Sequence, residues 1–237
     1  EPVRNDFEGN PDPKPRAERM NDWELGYKYQ SETFSGGVNF YHMTYKDQFV
    51  LTGEISATGE MIHQNVGNSY RQGIELQGAW KPIDWFRWDA NATFSRNRAK
   101  DWTVKSDNKK PLNFGTTHLS FSPDMIFNNI FTFDYHGFAA ALQSQYIGEQ
   151  YMTNENNRNL MLDDYFVSNL DLSYSFKLKS IKQVSVGATI YNLFSKKYFS
   201  NGHASATYDD NGRETSNGAV YSPQAPINFL AHLSLTF

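Results

Sequence analysis

The sequence predicts an all-β chain whose antiparallel strands form part of the wall of a transmembrane β-barrel. Three observations carry that prediction: a strictly alternating C-terminal strand, further strands with one apolar and one polar face, and connections that alternate between short and long. From Ala225 to Phe237, the side chains of Ile227, Phe229, Ala231, Leu233, Leu235 and Phe237 leave on one side. Those of Asn228, His232, Ser234 and Thr236 leave on the other, with Leu230 the exception, because successive strand residues point to opposite faces. An apolar face toward hydrocarbon and a polar face toward a lumen is the repeating unit of an outer-membrane barrel, which typically ends on such a strand.

The same period runs through the rest of the chain. Trp23 to Gln30, Val38 to Gln48 and Gly73 to Trp80 alternate with some noise. Phe86, Trp88, Ala90, Ala92 and Phe94 alternate cleanly with Arg87, Asp89, Asn91, Thr93 and Ser95, a polar face with two charges that a dry core would reject. Met125 to Tyr135 and Phe138 to Tyr146 follow. Leu170, Leu172, Tyr174, Phe176 and Leu178 then alternate with Asn169, Asp171, Ser173, Ser175 and Lys177, and Val184, Val186, Ala188 and Ile190 with Gln183, Ser185, Gly187, Thr189 and Tyr191. The count comes to about nine strands.

Short turns are expected near Ser31 to Ser35, Lys81 to Asp84, His136 to Gly137 and Lys179 to Lys182, and long loops near Thr52 to Tyr70, Arg98 to Pro123, Glu149 to Asp164 and Ser195 to Gln224. Outer-membrane barrels have short periplasmic turns and long extracellular loops, and the last strand runs from a long loop to the short-turn side, as a periplasmic C-terminus requires. Trp80, Trp85, Phe86, Tyr135, Phe138, Phe176 and Phe237 gather at the short-turn end, where aromatics form an interfacial girdle. A soluble β-sandwich also alternates, but its strands usually run five or six residues and its loops have no reason to alternate in length.

Composition fits. The chain has 237 residues, and 16% aromatic content is high while 39% hydrophobic is low for a globular core. No apolar run approaches the length of a membrane helix, and the mean hydropathy is −0.65, yet a barrel strand hides its apolar residues at every second position. A net charge of −4 with no concentrated Lys and Arg argues against nucleic acid. The absence of cysteine excludes thiol catalysis and thiolate metal sites, and is compatible with an oxidising periplasm. Glu1 to Asp6 carry no basic or apolar leader region, so the chain is expected to be a mature form or a C-terminal fragment.

Glu18 to Tyr27 (ERMNDWELGY), Phe40 to Gly53 (FYHMTYKDQFVLTG), Asn65 to Leu76 (NVGNSYRQGIEL), Gln145 to Tyr151 (QYIGEQY), Asn192 to Tyr198 (NLFSKKY) and the strand ending in Phe237 together resemble the C-terminal half of the TonB-dependent outer-membrane receptors, in the style of Bacteroidetes-type bacteria. The resemblance implies that residues 1–237 are the C-terminal part of a barrel of twenty-two strands with a plugged lumen. The N-terminal plug and the remaining barrel strands would lie outside this chain. It implies energised import of a scarce nutrient through the outer membrane. The implied partners are outer-membrane lipid and lipopolysaccharide, the plug and remaining strands, the TonB energy complex reached through the N-terminal region, and a surface lipoprotein. Leu233, Leu235 and Phe237 resemble the terminal signal read by the barrel-assembly machinery. About nine strands cannot close such a barrel alone, and open edges in lipid cost several kcal/mol for each unsatisfied backbone group.

No catalytic constellation is present: there is no G-x-S-x-G elbow, H-E-x-x-H, P-loop or Rossmann fingerprint. No enzyme activity, cofactor or resident metal is expected. His42, His118, His136 and His232 fall in or beside strands and read as lumen or interface residues, while His63 and His203 fall in long loops. Asp209-Asp210-Asn211-Gly212 reads as a turn rather than a calcium loop. Arg71, beside Tyr70, and Tyr151 lie at the mouth side of their strands. His203, Tyr208, Arg213 and Tyr221 lie in the longest loop, on a Gly- and Asn-rich backbone expected to be flexible. These six are the candidate ligand-binding residues, since aromatics and arginines hold an anionic iron chelate by stacking and charge. The expected cargo is a siderophore or haem. Cobalamin or glycan import, and a barrel enzyme or passive porin, remain as alternatives.

Overall fold

The computed structural model describes residue 7, residues 14–56 and residues 58–237. Glu1 to Asp6, read above for the absence of a leader, lie outside the described residues. The strands in chain order are β1 (Arg19–Gln30), β2 (Phe34–Ile55), β3 (Met61–Ile83), β4 (Phe86–Lys100), β5 (Thr103–Lys105), β6 (Pro111–Asn113), β7 (Thr117–His118) and β8 (Met125–Tyr135). They continue with β9 (Phe138–Ile147), β10 (Gln150–Tyr151), β11 (Met161–Leu162), β12 (Tyr165–Leu178), β13 (Ile181–Tyr191), β14 (Phe199–Tyr208), β15 (Glu214–Pro223) and β16 (Asn228–Thr236). One antiparallel sheet runs β1-β2-β3-β4-β8-β9-β12-β13-β16, with β7 attached to β4. Among the described residues the sheet is open, with β1 and β16 at its edges.

Register assigns every side chain to a face. Phe86, Trp88, Ala92 and Phe94 stand opposite Phe133, Phe131, Phe127 and Met125. Leu170, Leu172, Tyr174 and Phe176 stand opposite Ile190, Ala188, Val186 and Val184, which in turn face Phe229, Ala231, Leu233 and Leu235. This is the apolar outer face. Asp171 meets Thr189 on the inner face, where its Oδ2 accepts a 2.6 Å hydrogen bond from the Thr189 hydroxyl. Leu230, the one break in the terminal alternation, also falls on the inner face, opposite Thr189. A polar seam crosses the apolar band of the outer face: Asn129, Ser144 and Ser168 lie in a single cross-strand row and all are buried. The Trp88 indole N–H donates to Asn129 Oδ1 at 2.8 Å, and the two serine hydroxyls bond each other at 2.9 Å. Pairing within the row removes these groups from hydrocarbon, where each would otherwise cost several kcal/mol.

The short turns fall where the sequence places them. At the β8–β9 turn His136 and Gly137 both take positive φ, 49° and 84°, as a two-residue hairpin of right-handed twist requires. Aromatic rings cluster at this end, with Trp85 on Phe133 at 6.2 Å and Phe86 on Phe133 at 5.1 Å.

Two expected loops differ. The stretch Thr52 to Tyr70 is largely strand: β2 and β3 continue their ladder from Lys46↔Asn68 to Leu51↔His63, well above the apolar band. Both faces of this extension are packed among loops, with Val50, Val66, Gln48 and Asn65 all buried, so the alternation that marks a one-sided strand disappears. The segment Ser195 to Gln224, expected to be flexible, is an ordered hairpin of β14 and β15. Its Gly- and Asn-rich composition conceals it, because its stability comes from docking onto other loops. Asp210, at its tip, accepts a 2.6 Å bond from Ser106 Oγ, and its carbonyl a 3.0 Å bond from Lys110 Nζ. The buried hydrophobic clusters lie in the loops and at the loop end of the strands beneath them rather than in the membrane-spanning part of the sheet. One joins Val50, Val66, Ala99, Trp102 and Leu119; the other joins Met152, Leu160, Leu162 and Ala204, with Phe121 and Tyr221 packed against it.

Candidate functional site

Just beneath the loop layer, the inner face of β2, β3 and β4 carries three cross-strand rows. They read Tyr41–Gly73–Ser95, Met43–Arg71–Asn97 and Tyr45–Ser69–Ala99. Alternate residues of one strand share a face, so the segment Tyr41-His42-Met43-Thr44-Tyr45 presents two tyrosines and a methionine inward, on either side of Arg71. Gly73 makes room for one of them: a Cβ there would lie 2.7 Å from the Tyr41 hydroxyl and 2.4 Å from the Phe94 carbonyl oxygen. The Tyr41 ring crosses this gap and brings its hydroxyl near Ser95. Arg71 Nη1 donates to Ser122 Oγ at 3.2 Å, and the Tyr45 hydroxyl donates to Met43 Sδ at 3.3 Å. The guanidinium lies within electrostatic reach of both tyrosines, and the residue is partly buried. An arginine with a tyrosine in the row on either side of it on the inner wall suits a planar, anionic ligand.

Below these rows the wall is recessed. Asn39 Nδ2 lies between two carboxylates, 3.4 Å from Glu24 Oε2 and 3.3 Å from Glu75 Oε2, in a recess of about 470 Å³ that also takes in Lys28, Gln77 and Asn91.

The roof is stitched by buried polar groups. Asn154 Oδ1 accepts the Ser120 backbone N–H at 2.8 Å, while Asn154 Nδ2 and Ser120 Oγ both donate to the Leu51 carbonyl at 2.8 Å. Trp102 Nε1 donates to Glu155 Oε1 at 2.8 Å.

The six candidate residues occupy different surroundings. Arg71 lies on the inner wall as described. Tyr151 packs its ring on His118 at 4.8 Å, and its carbonyl accepts the Phe121 N–H at 2.9 Å. Tyr208 is buried against Phe114 at 5.0 Å, and Tyr221 stands 4.9 Å from Phe199 beside the Met152 cluster. His203 is half-buried opposite Val220, and Arg213 is exposed beside the hairpin turn. Burial, reinforced by the Glu155 and Glu214 charges against a weaker opposing bond from Asn157, pushes the Tyr208 hydroxyl up to about 12. The Arg213 and Asn211 backbone N–H groups hold Asp209 below the usual carboxylate range, and Gly212 has φ +77°, so this segment is the turn the sequence indicated. Tyr41 and Tyr45 were not among the sequence candidates. Their period-two spacing was visible, but only register places them beside Arg71. Among the described residues no group of three His, Cys, Asp or Glu side chains is arranged to hold a metal ion.

The model of the TonB dependent receptor-like β-barrel family matches residues 3–193. No curated relative matches the chain in sequence. Among solved structures, the chain resembles the ferric yersiniabactin uptake receptor FyuA from Yersinia pestis at 16% identity and a TM-score of 0.64, covering 91% of this chain and 29% of that one. It resembles BauA, the ferric preacinetobactin receptor from Acinetobacter baumannii, at 19% identity and 0.62, covering 91% and 29%. It resembles the copper transporter OprC at 17% identity and 0.62, covering 95% and 32%. The chain therefore spans less than a third of the length of each of these.

Proposed function

The chain belongs to the TonB-dependent receptor β-barrel family of the outer membrane, and from that premise we propose that it forms the C-terminal wall of a receptor importing a ferric chelate, a siderophore before haem. The observation that carries the proposal is Arg71 between Tyr41 and Tyr45 on the inner wall, directly below the loop layer. Ferric siderophores are anionic and often aromatic, so a guanidinium supplies charge and the two rings supply stacking faces. The named cargo of FyuA and BauA is ferric, which supports the same class. In this reading the N-terminal plug and the strands that complete the barrel are supplied by the rest of the receptor, and import is energised through TonB. The loop layer covers the vestibule, and the carboxylate-lined recess around Asn39 faces the plug.

The test uses the full-length receptor in cells lacking their own uptake routes, grown on ferric siderophores, on haem, or under cobalamin dependence. Arg71→Gln should raise the half-saturating siderophore concentration about tenfold, equivalent to about 1.4 kcal/mol, with surface protein unchanged. Arg71→Lys should recover only part of this, because an ammonium lacks the planar fork. Uptake of a siderophore at the unaltered half-saturating concentration in Arg71→Gln would overturn the assignment. Loss of haem uptake alone would move the cargo to haem.

A further inference from the structure

We propose that the Arg71 site selects its cargo by charge: it takes ferric chelates that carry little or no net charge, of the trihydroxamate kind, and turns away trianionic tris-catecholates. The inference rests on the ferric-chelate reading above and narrows it. Its basis is the inner face of β1, which borders the site. β1 pairs with β2 through Met20↔Tyr45, Asp22↔Met43 and Glu24↔Tyr41. The rows of the site therefore continue onto it as Met20–Tyr45–Ser69–Ala99, Asp22–Met43–Arg71–Asn97 and Glu24–Tyr41–Gly73–Ser95.

In these rows Arg71 is the single cation, against the carboxylates of Asp22 and Glu24. Two more carboxylates border them. Glu18, just before β1, is held to the wall by the Phe49 backbone N–H, which donates to its Oε2 at 3.1 Å, and it lies within electrostatic reach of both Arg71 and Tyr45. Glu75, one row below Gly73, lies within reach of Tyr41, and Asp22 within reach of Tyr45. Lys28 stands two rows below Glu24. Among the described residues no cation lies in ion-pair contact with Glu18, Asp22, Glu24 or Glu75.

The arginine and the wall around it thus act on different parts of a ligand. The guanidinium draws the nearest electron-rich oxygen through short directional hydrogen bonds, whereas the body of the ligand meets the summed field of the wall, which is negative. Each hydroxamate brings one negative charge to ferric iron and each catecholate two, so the tris-chelate of the first is uncharged and that of the second trianionic. An uncharged chelate offers its iron-bound oxygens to Arg71 and its body to the Tyr41 and Tyr45 rings with no opposing term. A trianion roughly 8 Å from Glu18 and Asp22, screened over a similar distance at physiological salt, is weakened on the order of tenfold.

The test measures binding to the purified full-length receptor in detergent, with several ferric trihydroxamates and several ferric tris-catecholates. The wild type should half-saturate with the best trihydroxamate at a concentration at least about tenfold lower than with the best tris-catecholate. Glu18→Gln combined with Asp22→Asn should bring the two classes within about twofold, and so should raising the salt to about 1 M with the wild type, where the screening length falls to about 3 Å. Equal half-saturation of the two classes in the wild type would overturn charge selection. So would a preference that survives either the double variant or the added salt, which would assign it to shape. Binding of no member of either class would overturn the ferric-chelate reading itself, a different result from equal binding of both.

Discussion

Gly53 is the point where the β2 tip meets two other loops, and replacing it with alanine should release the roof while leaving the barrel wall intact. Its φ is +94°, and the ladder between β2 and β3 shifts register between Leu51 and Ile55, the segment that contains it. A Cβ at this position would lie 2.3 Å from the Met152 carbonyl oxygen, 3.0 Å from Thr153 Cγ2 and 3.1 Å from the Ala204 carbonyl oxygen. Two of the three are backbone atoms, so no side-chain rotation relieves the contact. The left-handed backbone costs alanine roughly 1–2 kcal/mol, and forcing an extra carbon into a packed site typically costs about 1–3 kcal/mol more. At a tenfold change for each 1.4 kcal/mol, a total of about 3 kcal/mol would raise the open fraction of the loop layer on the order of a hundredfold. Hydrogen exchange on the full-length receptor reads this directly. The Met152 amide, bonded to the Leu160 carbonyl at 2.9 Å, and the Ser120 amide, bonded to Asn154 at 2.8 Å, should lose protection in Gly53→Ala. Amides of β12 and β13 should not. Unchanged protection at Met152 and Ser120 would refute the reasoning, because a roof held at Gly53 cannot absorb that carbon without moving.

Leu233→Asp with Leu235→Asp, or deletion of Phe237, should prevent surface accumulation, since charge on the lipid face costs roughly 2–4 kcal/mol at mid-membrane for Arg or Lys and less for Asp; normal levels of heat-modifiable barrel would contradict this. Single cysteines at Leu170, Leu172 and Tyr174 should be reached by a lipid-soluble quencher and those at Asn169, Asp171 and Ser173 should not, and a uniform pattern would remove the two-sided sheet. Tyr208 stays neutral in the fold up to about 12 against an ordinary value of 10.0. Hairpin docking should thus be intact below about pH 10 and weaken as pH rises toward 12, because the released hairpin binds fewer protons there. Tyr208→Phe should flatten that decline in hydrogen exchange of the hairpin, and an equal decline in both proteins would assign it elsewhere. Excising residues 195–224 should leave a folded barrel and weaken uptake at limiting ligand about tenfold, near 1.4 kcal/mol, whereas His203→Ala should matter only for haem; uptake unchanged after excision would take the hairpin out of the binding path.

The sequence by itself determined the wall. A strand between hydrocarbon and an aqueous lumen must alternate, so Phe86 to Ser95, Leu170 to Leu178 and the terminal strand announce both their structure and their orientation, and the turn at His136-Gly137 announces its own reversal. The family was legible for the same reason, through the order of stretches such as Phe40 to Gly53 and Asn65 to Leu76. Above the membrane that constraint ends. The tips of β2 and β3 and the β14–β15 hairpin are packed on more than one side, so their residues follow no period, and Gly53, Asn154 and Asp210 gain meaning only from partners distant in sequence. Arg71 was a candidate from the sequence, but its place between Tyr41 and Tyr45 was beyond reach from the chain alone. Tyr41 and Tyr45 stand on one strand and Arg71 on the next, strands whose individual patterns are unremarkable, and register decides which of them stand side by side. A one-residue slip would move every one of them to the opposite face, and that register is set by the ladder of backbone hydrogen bonds between strands, which no single strand contains.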